Sequence, residues 1–249
     1  MLALGLPLLQ GFLLVLFRSG GLIVAAPVVG AGTIPVRVRL ALVVVAALAA
    51  FAGAGAPAVQ VPLEIGALAG AALAETAVGL SAGLSARLVL EAARAAGQVA
   101  GISMGLGYGA IVDPVSGADT TALGQLFGLA ALAFAVALGL HREAFVWLAR
   151  SVGSFPPGAA ADLRTLAGAV VVHGLAGTVL AVRLAFPILT AVICGHLALG
   201  LLGRIAPQLN LGSMGFTIAI LAGGAALYLV LPSAADAAAR AALAALQRG

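Results

Sequence analysis

Long runs of Leu, Val, Ala and Gly, interrupted by Pro, Arg and short polar clusters, set the rhythm of this chain. Seven or so of these runs reach or approach the ~20 apolar residues that cross a ~30 Å hydrocarbon layer. The first predicts a helix from about Leu2 to Ala26, stopped by Ala26-Pro27. A corner with Gly30, Gly32 and Pro35 carries Arg37 and Arg39, and a second helix covers roughly 38–56. Gly53 to Pro62 turns the chain into a third span, about 63–85, which holds Glu64 and Glu75. The texture then changes. Over 86–107, Arg87, Glu91, Arg94 and Gln98 recur at three- and four-residue steps and mark one polar face of a helix. Tyr108 to Thr121 is the longest polar-tolerant loop, with Asp113-Pro114 and Gly117 as turn residues. A fourth span takes about 122–140. An amphipathic piece runs from His141 to about Arg150, and Phe155-Pro156-Pro157-Gly158 breaks it. Residues 163–202 fit two passes or one long helix bent at Pro187. A last span, about 213–231, ends at Pro232, and the Ala-rich tail from Ala234 to Gly249 reads as an exposed helix. No linker interrupts the pattern, so residues 1–249 read as a single membrane-embedded, all-α domain.

Composition narrows the class. The chain is 63% hydrophobic and 8% charged, against about 25% charged for a soluble domain. Only lipid or other subunits could cover such a surface. All twelve basic residues are Arg, spread without a dense patch, so nucleic acid is not an expected partner. The first basic residue, Arg18, lies at the wrong end of the first apolar run for a secretory signal. That run reads instead as a retained helix, with its N-terminus outside and the 30–39 corner cytoplasmic. Charge bias does not fix the topology of the second half. The single Cys, Cys194, lies in an apolar run and reads as a small buried hydrophobe.

Catalytic chemistry is thin. Gly79-Leu80-Ser81-Ala82-Gly83 has the letters of a hydrolase G-x-S-x-G elbow, but it sits inside a helical apolar run rather than between strand and helix. His141, His173 and His196 lack a second ligand at i+3 or i+4, and His141-Arg142-Glu143 lacks the second His of a zinc helix. No phosphate loop, dinucleotide fingerprint or carboxylate dyad is present. The reading is therefore of a protein that is not an enzyme, with no catalytic residue, cofactor or metal. Glu64, Glu75 and Arg183 are ionisable residues within or beside spans, where ion pairing between helices competes with an ion pathway. A secondary transporter would show two repeated halves, and no convincing repeat is found.

Two further features concern assembly. Gly97, Gly101, Gly105 and Gly109 recur every four residues, the small-xxx-small spacing that lets helices approach closely. Gly66/Gly70, Gly79/Gly83 and Gly124/Gly128 repeat the spacing, though 34 glycines also produce such pairs by chance. The run Arg204-Ile205-Ala206-Pro207-Gln208-Leu209-Asn210 cannot continue a lipid-facing helix, because Pro207 removes a donor and Arg204, Gln208 and Asn210 each need partners. It reads as a re-entrant turn or inter-helix corner held by protein contacts.

The same run, from Gly200 through Asn210 and on to Gly215-Phe216, resembles the C-terminal signature of the FliR family of flagellar biosynthetic proteins. Phe17-Arg18, Gly21-Leu22, Ala26-Pro27, Gly30 and Ile34-Pro35-Val36-Arg37-Val38-Arg39 are similar to its N-terminal block. Ala96-Gly97-Gln98, Gly101, Met104-Gly105-Leu106-Gly107 and Val112-Asp113-Pro114 are similar to its central block, and Ser154, Pro157-Gly158 and Phe186-Pro187 fit more weakly. The chain departs from the pattern at Gly139-Leu140-His141, where the family usually has Asn-Gly-His. It departs again at Leu211-Gly212-Ser213, where a Phe is usual. Injectisome counterparts share the architecture and match the Asp-Pro block less well.

The resemblance implies an all-helical membrane fold with helices in hairpins, like a fusion of the partner subunits FliP and FliQ, with amphipathic helices and re-entrant corners. It implies one component of the flagellar type III export gate in the bacterial inner membrane, at the flagellar basal body. FliP- and FliQ-like subunits and an FlhB-like protein are the implied partners, with membrane lipid around them and unfolded flagellar subunits as cargo. The implied plug loop is Tyr108 to about Thr121, with Tyr108, Ile111, Val112, Asp113, Pro114, Val115 and Gly117 as its residues. An ordinary surface loop is the alternative for that segment.

Overall fold

The computed structural model describes residues 2–30, 34–106, 121–159, 162–205 and 214–248. Seven helices are found in them, and no strand: α1 Leu2–Ala25, α2 Val36–Gly53, α3 Ile65–Ser103, α4 Ala122–Ala137, α5 Leu140–Ser154, α6 Leu163–Ile205 and α7 Gly215–Arg248. Five of them (α1, α2, α3, α6 and α7) are long and apolar enough to cross a membrane. The all-α membrane fold expected from the sequence is the fold found.

Helix ends follow local chemistry. α2 and α3 both end in a Schellman turn, with Gly55 at φ +78° and Gly105 at φ +80°. After α3, Leu106 N–H donates to Gly101 O at 2.9 Å and Gly105 N–H to Ile102 O at 3.0 Å, the paired bonds of that motif. Thr121 caps α4, its Oγ1 accepting Gly124 N–H at 3.1 Å, as an N-cap threonine does. Glu64 stands just before α3, where its carbonyl accepts Leu68 N–H at 3.0 Å.

Two expected helix boundaries are corrected, and so is the expected exposure of the tail. The polar-faced segment after residue 85 is not a separate helix. Ser85-Ala86-Arg87 contains no breaker, so α3 runs on for 39 residues, and the change of texture is a change of face. Pro232 does not end the last helix, since α7 passes through it; a proline removes one backbone donor, and the remaining bonds of a long helix carry it across. Nor is the tail exposed: Ala234, Ala235, Ala238, Ala239, Ala242 and Leu246 are buried, at the spacing of one helical face. Residues 163–205 form one helix with Pro187 inside it. Cys194 is exposed rather than buried.

The chain divides into two compact units, each assembled from separated segments. The first comprises Met1–Val89, Ala135–Leu175 and Arg240–Gly249, and the second Leu90–Phe134 and Ala176–Ala239. Within the first, α1 packs on α2 and on α5. Residues 57–61 lie along α1, with Val59 N–H donating to Pro7 O at 3.1 Å and the Gln10 amide exchanging two bonds with the backbone of Val61. Phe12 and Phe51 meet edge to face, centroids 5.8 Å apart. α5 buries Leu140, Ala144, Leu148 and Val152, a stripe of period four that leaves His141, Arg142 and Arg150 exposed.

Candidate functional site

Glycines allow α1 and α3 to come together in the first unit. A Cβ on Gly79 would strike the carbonyl oxygen of Arg18, and one on Gly21 the carbonyl oxygen of Thr76. A Cβ on Gly83 would lie 2.7 Å from Leu22 O. The hydrolase-like letters at 79–83 thus fall in the middle of a helix at its closest approach to a neighbour. Ser81 Oγ donates back to Val78 O at 2.8 Å, as a helical serine commonly does.

That approach sets a buried ion pair. Arg18 Nε lies 2.6 Å from Glu75 Oε2, with the two side chains 0% and 1% exposed. Arg18 Nη1 donates to Ser151 O at 2.8 Å and Phe155 O at 3.1 Å, and the guanidinium carbon stands 5.7 Å from the centroid of the Phe155 ring. Glu75 Oε1 accepts the N–H of Gly158 at 2.8 Å. Gly158 has φ +82°, and a Cβ there would come within 3.0 Å of Val59 and 3.3 Å of Leu14. One charge pair therefore ties together α1, α3, the end of α5 and the turn after it. Two desolvated charges need such a set of bonds, since their mutual attraction alone seldom covers their lost hydration. Among the described residues Arg18 Nη2 has no hydrogen-bond partner.

Beside this cluster lies a cavity of about 440 Å³ between α3, α5, the start of α6 and the end of α7. Ser151 and Phe155, whose carbonyls Arg18 holds, form part of its wall. At its rim Asp162 caps α6, accepting Arg164 N–H at 3.0 Å and the Thr165 hydroxyl. Those two bonds, the hydroxyl first, hold the Asp162 carboxyl below the usual carboxylate range.

The expected glycine packing divides in the second unit. A Cβ on Gly97 would meet Leu123 O at 2.5 Å, and one on Gly101 would meet Thr121 Oγ1 at 2.6 Å. From the opposite helix, Gly124 faces Gln98 and Gly128 faces Arg94. Gly97/Gly101 on α3 and Gly124/Gly128 on α4 are thus reciprocal. Gly105 is not on that face, because it forms the left-handed turn that ends α3, and Gly109 lies outside the described residues. So do the plug-loop residues Tyr108, Ile111, Val112, Asp113, Pro114, Val115 and Gly117, and the corner residues Pro207, Gln208 and Asn210. Arg204 is in the last turn of α6. Of the expected buried charges, Glu75 is paired, whereas Glu64 and Arg183 are exposed. Sequence reasoning missed Arg18 as its partner. The signal was there: Arg18 is an ionisable residue inside an apolar helix, the criterion that singled out Glu75.

The family of bacterial export proteins, family 1, matches residues 9–244. The chain belongs to it. Its resemblance to FliR extends to individual relatives. The flagellar biosynthetic protein FliR of Escherichia coli strain K12 is 27% identical over 228 residues, 87% of this chain and 82% of the relative. That of Caulobacter vibrioides is 27% identical over 218 residues, 88% and 87% respectively. That of Pectobacterium carotovorum subsp. carotovorum is 30% identical over 162 residues, covering 62% of this chain and 59% of the relative. One departure from the family pattern has a backbone explanation. Gly139, the first point at which the chain departs from the FliR resemblance, has φ +81°, in the region that Gly and Asn occupy most readily.

Proposed function

We propose that this chain is a membrane component of the flagellar type III export gate. It joins FliP- and FliQ-like subunits and an FlhB-like protein in the cell membrane at the flagellar base, forming the pore through which unfolded flagellar subunits leave. The family match from residue 9 to 244, running through all seven helices, carries the reading. The surface agrees with it. Phe186, Leu197, Leu201, Leu221 and Tyr228 are each more than half exposed and require lipid or partner helices around them. In this reading the segment from Tyr108 to Thr121 plugs the pore, Gly97 and Gly101 set the α3–α4 contact on which the loop is mounted, and Arg204 to Asn210 forms a corner bonded to adjoining helices.

The test is co-expression with the neighbouring small export-gate membrane proteins, followed by mass measurement of the detergent-extracted complex. A hetero-oligomer containing this chain is expected. A stable, lone monomer would overturn the reading and favour a transporter. Within an assembled complex, deleting about four residues around Val115–Ala118 should leave assembly intact and make the membrane leaky to small ions, because shortening a loop costs little whereas a steric seal is lost with its tip.

A further inference from the structure

We propose that the cavity in the first unit is a binding site for a zwitterionic phospholipid headgroup bearing a primary ammonium, of the phosphatidylethanolamine type. At about 440 Å³ it has the size of a small-ligand site. Its walls are of two kinds. Val78, Ala82, Leu166 and Leu246 make an apolar floor, and Ser81, Ser85, Ser151 and Ser154 bring hydroxyls from two helices. The rear wall is held in place by Arg18, whose guanidinium binds the carbonyls of Ser151 and Phe155.

Two features place the cavity at the membrane–water boundary. Trp147, the only Trp in the chain, lines it from α5, and indole rings concentrate at headgroup level. α5 packs its apolar stripe on the membrane-spanning α1 and α2 and turns a charged face outward, and such a face beside the spans needs water rather than hydrocarbon.

The charges at the rim select the headgroup. Glu143 and Asp162 supply two carboxylates and Arg150 one guanidinium. Glu143 and Arg150 are 3.9 Å apart with the Arg150 side chain 72% exposed. That separation is well beyond a charge-assisted hydrogen bond, so both groups can turn to a ligand placed between them. A primary ammonium can donate to the carboxylates while its phosphate takes Arg150. A choline headgroup has no N–H to donate, and a glycerol headgroup brings an anion to a rim with one more carboxylate than guanidinium.

The inference requires only that the chain sits in a bilayer, not that it belongs to an export gate. It is tested by native mass spectrometry of the full chain, extracted with its partners where they co-purify and reconstituted in nanodiscs of phosphatidylethanolamine, phosphatidylcholine or phosphatidylglycerol. One retained phosphatidylethanolamine per chain is expected, with retention of the other two weaker by about tenfold, the scale of one charge-assisted hydrogen bond. Ala169→Phe, which fills the cavity from α6, should remove the bound lipid. Glu143→Gln with Asp162→Asn should bring phosphatidylethanolamine down to the level of phosphatidylcholine while keeping the α6 cap, since Asn caps as well as Asp. Equal retention of the three lipids overturns the proposal. So does retention unchanged by both sets of variants, or a partner protein cross-linked from position 169 in a complex that carries no lipid.

Discussion

Glu75→Gln isolates the charge of the buried pair with little change of shape. The glutamine keeps an acceptor for Gly158 N–H but leaves the Arg18 guanidinium, 0% exposed, without its counter-charge. Removing one partner of a buried pair costs about 3–5 kcal/mol. The bonds from Nη1 to Ser151 O and Phe155 O remain, so the lower end, about 3 kcal/mol, is expected. Arg18→Met strands the carboxylate instead and should cost about 3–5 kcal/mol. In the double variant neither charge is left. Ser151 O still accepts Phe155 N–H at 2.9 Å, and two neutral groups lose their partners, the Phe155 carbonyl and the amide N–H of the introduced glutamine, at about 1–3 kcal/mol each. The two substitutions should therefore couple by about 3 kcal/mol, within the range measured for close charge pairs. Reversible unfolding in mixed micelles, run as a double-mutant cycle, measures this. Additivity to within about 0.5 kcal/mol, the behaviour of independent sites, would refute the claim that this pair organises the first unit.

Further expectations rest on single contacts. Gly79→Ala should destabilise by about 1–3 kcal/mol, as overpacking does, because its Cβ meets the Arg18 backbone. Gly20→Ala, whose nearest neighbour is Val43 at 4.0 Å, should be neutral or stabilising; equal effects would remove the close approach of α1 and α3. In the second unit Gly97→Ala should lower folded yield more than Gly101→Ala: the first meets a backbone oxygen at 2.5 Å, whereas at the second the Thr121 hydroxyl can turn away, at a cost of about 1 kcal/mol of helix cap, which leaves the milder contact with Thr121 Cβ at 2.9 Å. The reverse order would contradict the α3–α4 geometry. Asp162 titrates below its ordinary value, so its cap contributes fully above the ordinary carboxylate range and is lost as pH falls through the folded value. Thr165→Val should raise that midpoint in an NMR titration, and an unchanged midpoint would remove the hydroxyl as its chief cause.

How much of this was legible in the sequence depended on the kind of signal. Apolar runs and Gly or Pro breaks located α1, α2, α4 and α5 closely, because those helices end where the chain itself ends them. The break expected after residue 85 and the stop expected at Pro232 failed for one reason. Both treated a local change in side chains as a change in backbone, yet a long helix bridges a single proline and is indifferent to which of its faces is polar. The buried alanines of α7 were misread as exposed because alanine suits either environment and its burial depends on what packs against it. Arg18 and Glu75 lie 57 residues apart, and nothing in their spacing announces that they meet; only the rule that an apolar helix does not keep a charge without a partner could have paired them. The cavity had no sequence signature, since its lining comes from four helices.

The central claim is that this chain works in flagellar protein export. It is tested most directly by deleting its coding sequence from the source bacterium and assaying flagellar subunits in the culture medium, with the wild-type chain and Arg18→Met supplied in trans. The account predicts that secretion is lost, is restored by the wild-type chain, and is restored poorly by Arg18→Met in proportion to its lowered level in the membrane. Secretion that continues undiminished in the deletion strain would contradict it.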